Sequence, residues 1–161
     1  VNMSEKYEIF SAAFSANSLR ATGFKSTHYA LAELIDNSVQ SALEDKKSKN
    51  CKVEVIAIDK DQKLSKILVV DDAGGMSPEI LRTSLGVGRG RALDENKKNR
   101  VGKGKTSKFG LGLKQASVSQ CARFEVYTWQ GKKMFMSYWD NNELDAGKLK
   151  YVPEPINKDM P

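Results

Sequence analysis

The clearest periodic pattern in the chain lies between Ser26 and about Glu44, where apolar residues recur every three to four positions. One side of a helix would collect them, together with one serine: Leu31, Leu34, Ile35, Ser38, Val39 and Ala42. Polar residues fall on the opposite side: Glu33, Asp36, Asn37 and Gln40. Ser26 or Thr27 can cap the first turn. The pattern predicts an amphipathic helix with an acidic, amide-bearing face.

Two hairpins are predicted from runs of β-branched and aromatic residues bounded by turn residues. The strands are Val53–Asp59, Lys66–Asp71, Phe124–Trp129 and Met134–Trp139, with turns around Asp61-Gln62-Lys63 and Gln130-Gly131. In the second strand, residues 67–70 are continuously apolar, which is typical of a strand covered on both faces. A further short strand is predicted near residues 150–152.

Two shorter helices complete the pattern. One begins at Ser77-Pro78, because proline is favoured at the first helical position, and ends before Gly86. The other runs from Leu111 to about Gln120. The element order predicts the α/β class, as a two-layer α+β sandwich with helices on one face of a mostly antiparallel, mixed sheet.

Composition limits the classes of protein without naming one. With 161 residues, 40% hydrophobic and 29% charged, residues 1–161 are expected to form a single domain. No apolar run approaches the roughly 20 residues of a membrane helix, so no membrane partner is expected. Cys51 and Cys121 have neither metal-like nor redox-like spacing and are interpreted as reduced core thiols of a cytosolic protein.

The net charge of +6 comes from one segment of the chain. Nine basic and two acidic residues lie between Arg89 and Lys114, interspersed with glycines. Such a stretch cannot form a core of its own. Its charge predicts a polyanionic partner, but Phe109 is the only aromatic residue in it, so stacking on nucleic-acid bases is not supported.

Three groups of residues are candidates for chemistry, and the first is on the long helix. Glu33 and Asn37 lie one helical turn apart, so their side chains point the same way. A carboxylate beside a carboxamide can hold a divalent cation and orient a water molecule. The same spacing is also typical of a solvated polar stripe on a surface helix, and the residues alone leave both interpretations open.

The other two groups combine glycine with charge. Asp71-Asp72-Ala73-Gly74-Gly75-Met76 follows an apolar strand and would bring carboxylate and bare backbone to a sheet edge, although an ordinary strand-to-helix turn explains it equally well. Phe109-Gly110-Leu111-Gly112-Leu113-Lys114 precedes a helix, whose first N–H groups favour an anion. Its spacing is neither that of a P-loop nor that of a dinucleotide-binding fingerprint.

Taken in order, the segments AELIDNS, DDAGGMS and FGLGLK resemble the N box, G1 box and G2 box of the GHKL ATPases. This superfamily includes gyrase B, the large heat-shock chaperone, histidine kinases and MutL, and DDAGGMSPE followed by FGLGLK is most similar to its MORC-type branch. The resemblance spans about Thr27 to Ser119. It implies the Bergerat ATP-binding fold, in agreement with the element order.

The resemblance also implies residue roles. Glu33 would be the general base that activates water, and Asn37 would hold Mg²⁺ at the phosphates of ATP. Asp71 would accept a hydrogen bond from the adenine amino group, with Gly75 and Met76 against the base. The phosphates would be bound by the Lys114 ammonium and by backbone N–H groups of Gly110, Leu111, Gly112, Leu113 and Lys114. About residues 86–108 would form the ATP lid, which closes over the nucleotide.

Histidine kinases usually carry asparagine at the position of Glu33, so the resemblance favours an ATPase over a kinase. The single histidine, His28, lies on the apolar side of the long helix and is predicted to be a packed core residue.

Three positions depart from the family pattern. Ala73 replaces the first glycine of the G1 box, Ser107 replaces a glycine of the G2 box, and Gln40 replaces the frequent N-box aspartate. The family also has a later strand with a Gly-Thr pair, and none follows Lys114. We therefore expect the chain to be an N-terminal fragment that lacks its last strand or strands.

The predicted function is Mg²⁺-dependent binding of ATP and its hydrolysis to ADP and phosphate. ATP would drive lid closure and homodimerisation of the full-length protein, located in the cytoplasm, or in the nucleus of a eukaryote. The three departures favour an alternative, a nucleotide-binding switch with little turnover. Another alternative is a nucleic-acid-binding module that uses residues 89–114, although nucleic acid is more readily expected to bind domains outside this chain.

Overall fold

The computed structural model describes residues 23–44, 50–86 and 112–158, together with Ser18 and Ala21. In chain order the elements are α1 Thr27–Glu44, β1 Val53–Lys60, β2 Lys63–Asp71, α2 Pro78–Leu85, α3 Gly112–Gln120, β3 Arg123–Gln130, β4 Lys133–Asp140, α4 Asn141–Asp145 and β5 Ile156–Lys158. The predicted long helix, both hairpins and the helix after Ser77 are confirmed, and the fold belongs to the α/β class.

The two hairpin turns have the backbone geometry that their short length requires. Asp61 and Gln62 join β1 to β2 with φ angles of 53° and 61°, and Gly131 has a φ of 62° between β3 and β4. Positive φ angles in two-residue loops match the right-handed twist of the flanking strands. The turns therefore set the antiparallel register, with Val53 opposite Asp71 in the first hairpin.

Within the described ranges the strands form two antiparallel sheets, β1-β2 and β3-β4-β5, where the pattern predicts one mixed sheet. After β2 the chain turns at Gly75, and the Met76 amide donates to the Thr128 hydroxyl of β3 over 2.6 Å. A side-chain hydrogen bond thus links the turn after β2 to β3.

The short strand predicted near residues 150–152 is misplaced. Tyr151 forms an isolated bridge there, and the strand is β5, which pairs with Met134–Met136 of β4. The Val152 side chain is buried in the core, and its carbonyl accepts from Arg82 Nε over 3.1 Å. The carbonyl is therefore bonded to a side chain of α2.

The main core lies between α2, α3 and the β3-β4-β5 sheet. Its buried members are Leu85, Val118, Trp139, Leu149 and Val152. Phe124 of β3 stacks on Trp139 of β4, with ring centroids 6.0 Å apart. This core holds α2 and α3 in place, and these two helices flank the segment that the sequence predicts to be a lid.

The prediction that β2 is covered on both faces is wrong. Ile67 and Leu68 are 37% and 38% exposed, whereas residues 69–71 at the end of the strand are half-buried. In the described part of the chain β1 is the sole hydrogen-bonding neighbour of β2, and burial increases toward the end where α1 contacts Asp71.

The interpretation of the histidine and the cysteines as core residues is also corrected. His28 is exposed, and its ring contacts the Ser26 hydroxyl and lies 4.4 Å from the ring of Tyr29. Both cysteines are free thiols, as expected, but Cys121 is exposed just after α3 and Cys51 is half-buried. In the described part of the molecule no helix combines the length and the apolar character needed to cross a bilayer.

Candidate functional site

Residues of all three sequence motifs meet at α1. Thr27 donates from its hydroxyl to Gln120 Oε1 over 2.7 Å, and Gln120 Nε2 donates to the carbonyl of Phe24. These hydrogen bonds tie the beginning of α1 to the end of α3. The polar face of α1 is thereby held beside the helix that begins with the G2 box.

The Glu33 carboxylate lies directly against the first residue of α3. A Cβ atom added to Gly112 would come 1.8 Å from Glu33 Oε1 and 2.7 Å from Glu33 Cδ, so any larger residue would collide with the carboxylate. Burial, followed by the negative charge of Asp36, raises the pKa of Glu33. A raised pKa makes this carboxylate a stronger base than a glutamate in open water.

Asn37 lies one turn further along α1, and its amide group has a defined orientation. Its Nδ2 donates to the carbonyl of Glu33 over 2.8 Å, which leaves Oδ1 as the atom that can bind a cation. No cluster of three acidic, histidine or cysteine side chains that could hold a metal occurs in the described ranges. The Asn37 Oδ1 atom is a hard oxygen donor of the kind that suits Mg²⁺, which usually binds one or two protein oxygens together with water and substrate phosphates.

Ser38 joins α1 to the end of β2. Its hydroxyl donates to Asp71 Oδ2 over 2.8 Å, and Asp71 Oδ1 accepts from the backbone amide of Ala73 over 3.1 Å. Both oxygens of the predicted base-binding carboxylate are thus fixed in direction. Ser38 is not among the site residues predicted from the sequence, although a polar residue within the apolar side of a helix indicates a buried hydrogen bond.

The turn after Asp71 contains the other two residues predicted to contact a base. Gly75 has a φ of 65°, and Met76 is bonded through its amide to Thr128. Ala73 occupies the position where the family usually has glycine, and its N–H is bonded to Asp71. The structure therefore brings Asp71, Gly75 and Met76 into one turn whose two ends are held by Ser38 and Thr128.

The neighbouring aspartate has a different environment. Asp72 Oδ1 accepts from the backbone amide of Lys52 over 2.7 Å, and this hydrogen bond lowers the pKa of Asp72. Its side chain thus extends the pairing at the end of the β1-β2 sheet, whereas the Asp71 side chain is bonded to α1.

Lys114 is fully buried at the third position of α3. Its Nζ donates to the carbonyl oxygens of Ser84 and Gly86 over 2.9 and 2.7 Å, at the end of α2. Burial lowers the pKa of Lys114 to about 8. The ammonium thus connects α3 to the end of α2 in this structure, and its contact with a phosphate stays a prediction.

The remaining predicted residues of the phosphate-binding segment lie outside the described residues. They are Gly110 and Leu111. Ser107 and the rest of the predicted lid after Gly86 also lie outside the described residues. Gly112 and Leu113 lie in the first turn of α3, where N–H groups lack a partner within the helix. Their binding roles stay predictions.

A comparison with protein families identifies the class of the molecule. A model of the histidine kinase-, DNA gyrase B- and HSP90-like ATPase family matches residues 25–160. The match covers most of the chain, so the protein belongs to this family, whose domain is expected to bind ATP. The curated proteins and the solved structures compared with the chain contain no significant match.

Proposed function

We propose that this protein is a Mg²⁺-dependent ATPase of the MORC-type branch, which hydrolyses ATP to ADP and phosphate. The observation that carries the proposal is the contact between the Glu33 carboxylate and Gly112 at the beginning of α3. A base is thereby held beside a helix N-terminus, where phosphates are favoured. The identity of residue 33 also supports an ATPase rather than a histidine kinase.

Glu33 is the proposed general base. It accepts a proton from the attacking water, a contribution typically of about 10²–10⁴-fold in rate. Since burial and Asp36 raise its pKa, the carboxylate is protonated, and inactive as a base, at a higher pH than an ordinary glutamate. Hydrolysis should therefore decline as the pH falls through this raised pKa.

Asn37 is the proposed Mg²⁺ ligand, through Oδ1. Bound Mg²⁺ would supply positive charge that stabilises the phosphate oxygens during transfer. The hydrogen bond from Asn37 Nδ2 to the Glu33 carbonyl holds the amide group in position before the metal binds. The same helical turn thus orients the base and the metal ligand.

Asp71 is the proposed acceptor for the amino group of adenine. Its two oxygens each accept one hydrogen bond, from Ser38 and Ala73, and each retains a lone pair for the ligand. Gly75 and Met76 supply the surface against which the base packs. A guanine presents an oxygen where adenine presents an amino group, so a fixed carboxylate disfavours it.

The phosphates are proposed to bind backbone N–H groups of Gly110, Leu111, Gly112, Leu113 and Lys114. The Lys114 ammonium adds positive charge at the third residue of α3. Closure of residues 86–108 over the nucleotide, and ATP-dependent dimerisation of the full-length protein, complete the proposal. Nucleotide would favour the closed state by its difference in affinity for the two states.

The test uses full-length protein and the variants Glu33→Gln and Glu54→Gln. Glu54 is exposed on β1 and serves as the matched control. Titration calorimetry with ADP and a non-hydrolysable ATP analogue, with and without Mg²⁺, measures binding, and single-turnover hydrolysis measures chemistry. We expect Glu33→Gln to bind ATP like the wild type and to lose hydrolysis about 100-fold or more.

Two results would count against the proposal in different ways. Equal hydrolysis by Glu33→Gln and the wild type would exclude Glu33 as the base. Tight binding of ATP by the wild type without single-turnover hydrolysis would instead establish the nucleotide-binding switch, the alternative that the substitutions at Ala73, Ser107 and Gln40 favour.

A further inference from the structure

A buried threonine of β3 holds the turn that follows β2. Thr128 is 3% exposed, and its hydroxyl accepts from the Met76 amide over 2.6 Å and donates to the Met76 carbonyl over 3.3 Å. A hydroxyl is both a donor and an acceptor, so one side chain can satisfy both backbone groups of a residue. Valine has nearly the same shape and could satisfy neither.

The approach of this turn to β3 depends on the residue before Met76. A Cβ atom added to Gly75 would come 2.2 Å from the carbonyl oxygen of Trp129 and 3.2 Å from Thr128 Oγ1. Gly75 also has a φ of 65°, which side-chain-bearing residues rarely adopt. The glycine therefore lets the backbone reach the Thr128 hydroxyl.

The turn is thus fixed at both ends by side-chain hydroxyls. Ser38 of α1 holds Asp71 at its beginning, and Thr128 holds Met76 at its end. The bond at Met76 joins the turn after β2 to β3, and the sheets of these two strands are not paired with each other among the described residues. The position of Met76 relative to Asp71 consequently depends on this hydroxyl.

We propose that Thr128 is a positioning residue that sets the affinity and base selectivity of nucleotide binding. The inference rests on the proposed function, because Asp71 and Met76 are assigned there to adenine. Thr128 acts through the backbone of Met76 and does not itself contact the ligand. Loss of the hydroxyl should let the turn move away from β3 and weaken the match to adenine.

The experiment compares Thr128→Val, Thr128→Ser and Ser137→Ala in the full-length protein. Ser137→Ala is the matched control, since it removes another buried strand hydroxyl, which donates to the Pro153 carbonyl far along the chain from the turn. Calorimetry gives the Kd values for ADP and GDP. Hydrogen exchange of the Met76 amide in nucleotide-free protein reports the hydrogen bond itself.

We expect Thr128→Val to accelerate hydrogen exchange of the Met76 amide and to weaken ADP binding about ten-fold. The ratio of the Kd values for GDP and ADP should also become smaller. Thr128→Ser should restore all three readouts, and Ser137→Ala should leave the preference for ADP unchanged. If Thr128→Val does not fold, Thr128→Cys, in which a weakly hydrogen-bonding sulfur replaces the oxygen, provides the same comparison.

Contrary outcomes separate this inference from the proposed function. Wild-type protein that binds neither nucleotide would overturn the proposed function and the inference with it. Wild-type binding of ADP together with an unchanged preference for ADP over GDP in folded Thr128→Val would overturn the inference alone. An equal loss of that preference in Ser137→Ala would also overturn it, by showing that any buried hydroxyl has this effect.

Discussion

Replacement of Gly112 by alanine should separate catalysis from stability. Gly112 is the first residue of α3, and the alanine methyl would occupy the space in which the Glu33 carboxylate lies. The obstructing atoms are the far end of a flexible side chain, so the carboxylate can move away. The variant should therefore fold normally with its proposed base displaced.

The size of the displacement can be estimated from the contact. The methyl carbon would be 1.8 Å from Glu33 Oε1, whereas ordinary contacts begin at 3.4 Å, so the oxygen must retreat by at least about 1.6 Å. A displacement of about 1 Å can lower the rate of an enzymatic step about 100-fold. Glycine-to-alanine replacement in a helix is worth no more than about 1 kcal/mol in stability. We expect hydrolysis to fall about 100-fold and the free energy of unfolding to change little.

Single-turnover hydrolysis and urea unfolding measure the two effects. Gly131→Ala is the control, because its added methyl would meet nothing within 4 Å but its φ of 62° makes alanine strained. Gly131→Ala should lose stability and retain hydrolysis, which is the reverse of Gly112→Ala. Hydrolysis by Gly112→Ala within about three-fold of the wild type, at equal ATP affinity, would refute the assignment of Glu33.

Three further predictions concern stability and binding. The unfolded chain holds the proton of Lys114 up to its ordinary pKa of 10.5, whereas the folded protein releases it near pH 8. Between these two pH values the unfolded state binds more protons, so the free energy of unfolding should rise with pH, by up to about 3 kcal/mol. Urea titrations at several pH values measure this rise, and Lys114→Met should lack it. Ser38→Ala should weaken ADP binding about ten-fold, because the Asp71 carboxylate loses a hydrogen bond that orients it. Calorimetry measures the Kd, and an unchanged Kd would contradict this prediction. Gly75→Ala should cost more than about 2 kcal/mol, from its left-handed φ and the collision with Trp129, and wild-type stability in urea would exclude this reasoning.

The elements of the fold could be predicted because their signals are local. The apolar period of α1, the proline after Ser77 and the turn residues between strands each depend on a few neighbours. The burial of β2 could not be predicted in this way, because it depends on which elements lie beside the sheet. Ile67 and Leu68 have the composition of a covered strand and are nevertheless partly exposed.

The same distinction applies to the site. Glu33 and Asn37 are one turn apart on a helix, so their common direction follows from the sequence. The contact of Glu33 with Gly112 joins residues far apart in the chain, and only the packing of α1 beside α3 reveals it. Thr128 gave no signal, because a threonine in a strand is usually explained by its β-branched shape.

The division into two sheets has a consequence for how the molecule unfolds. The β1-β2 hairpin exposes many apolar side chains, whereas the main core belongs to the other sheet, α2 and α3. The hairpin is therefore expected to open as a separate unit, at a lower free energy than the core. A ligand held by Asp71 and the beginning of α3 would contact both units at once. Nucleotide should then convert two melting steps into one cooperative transition.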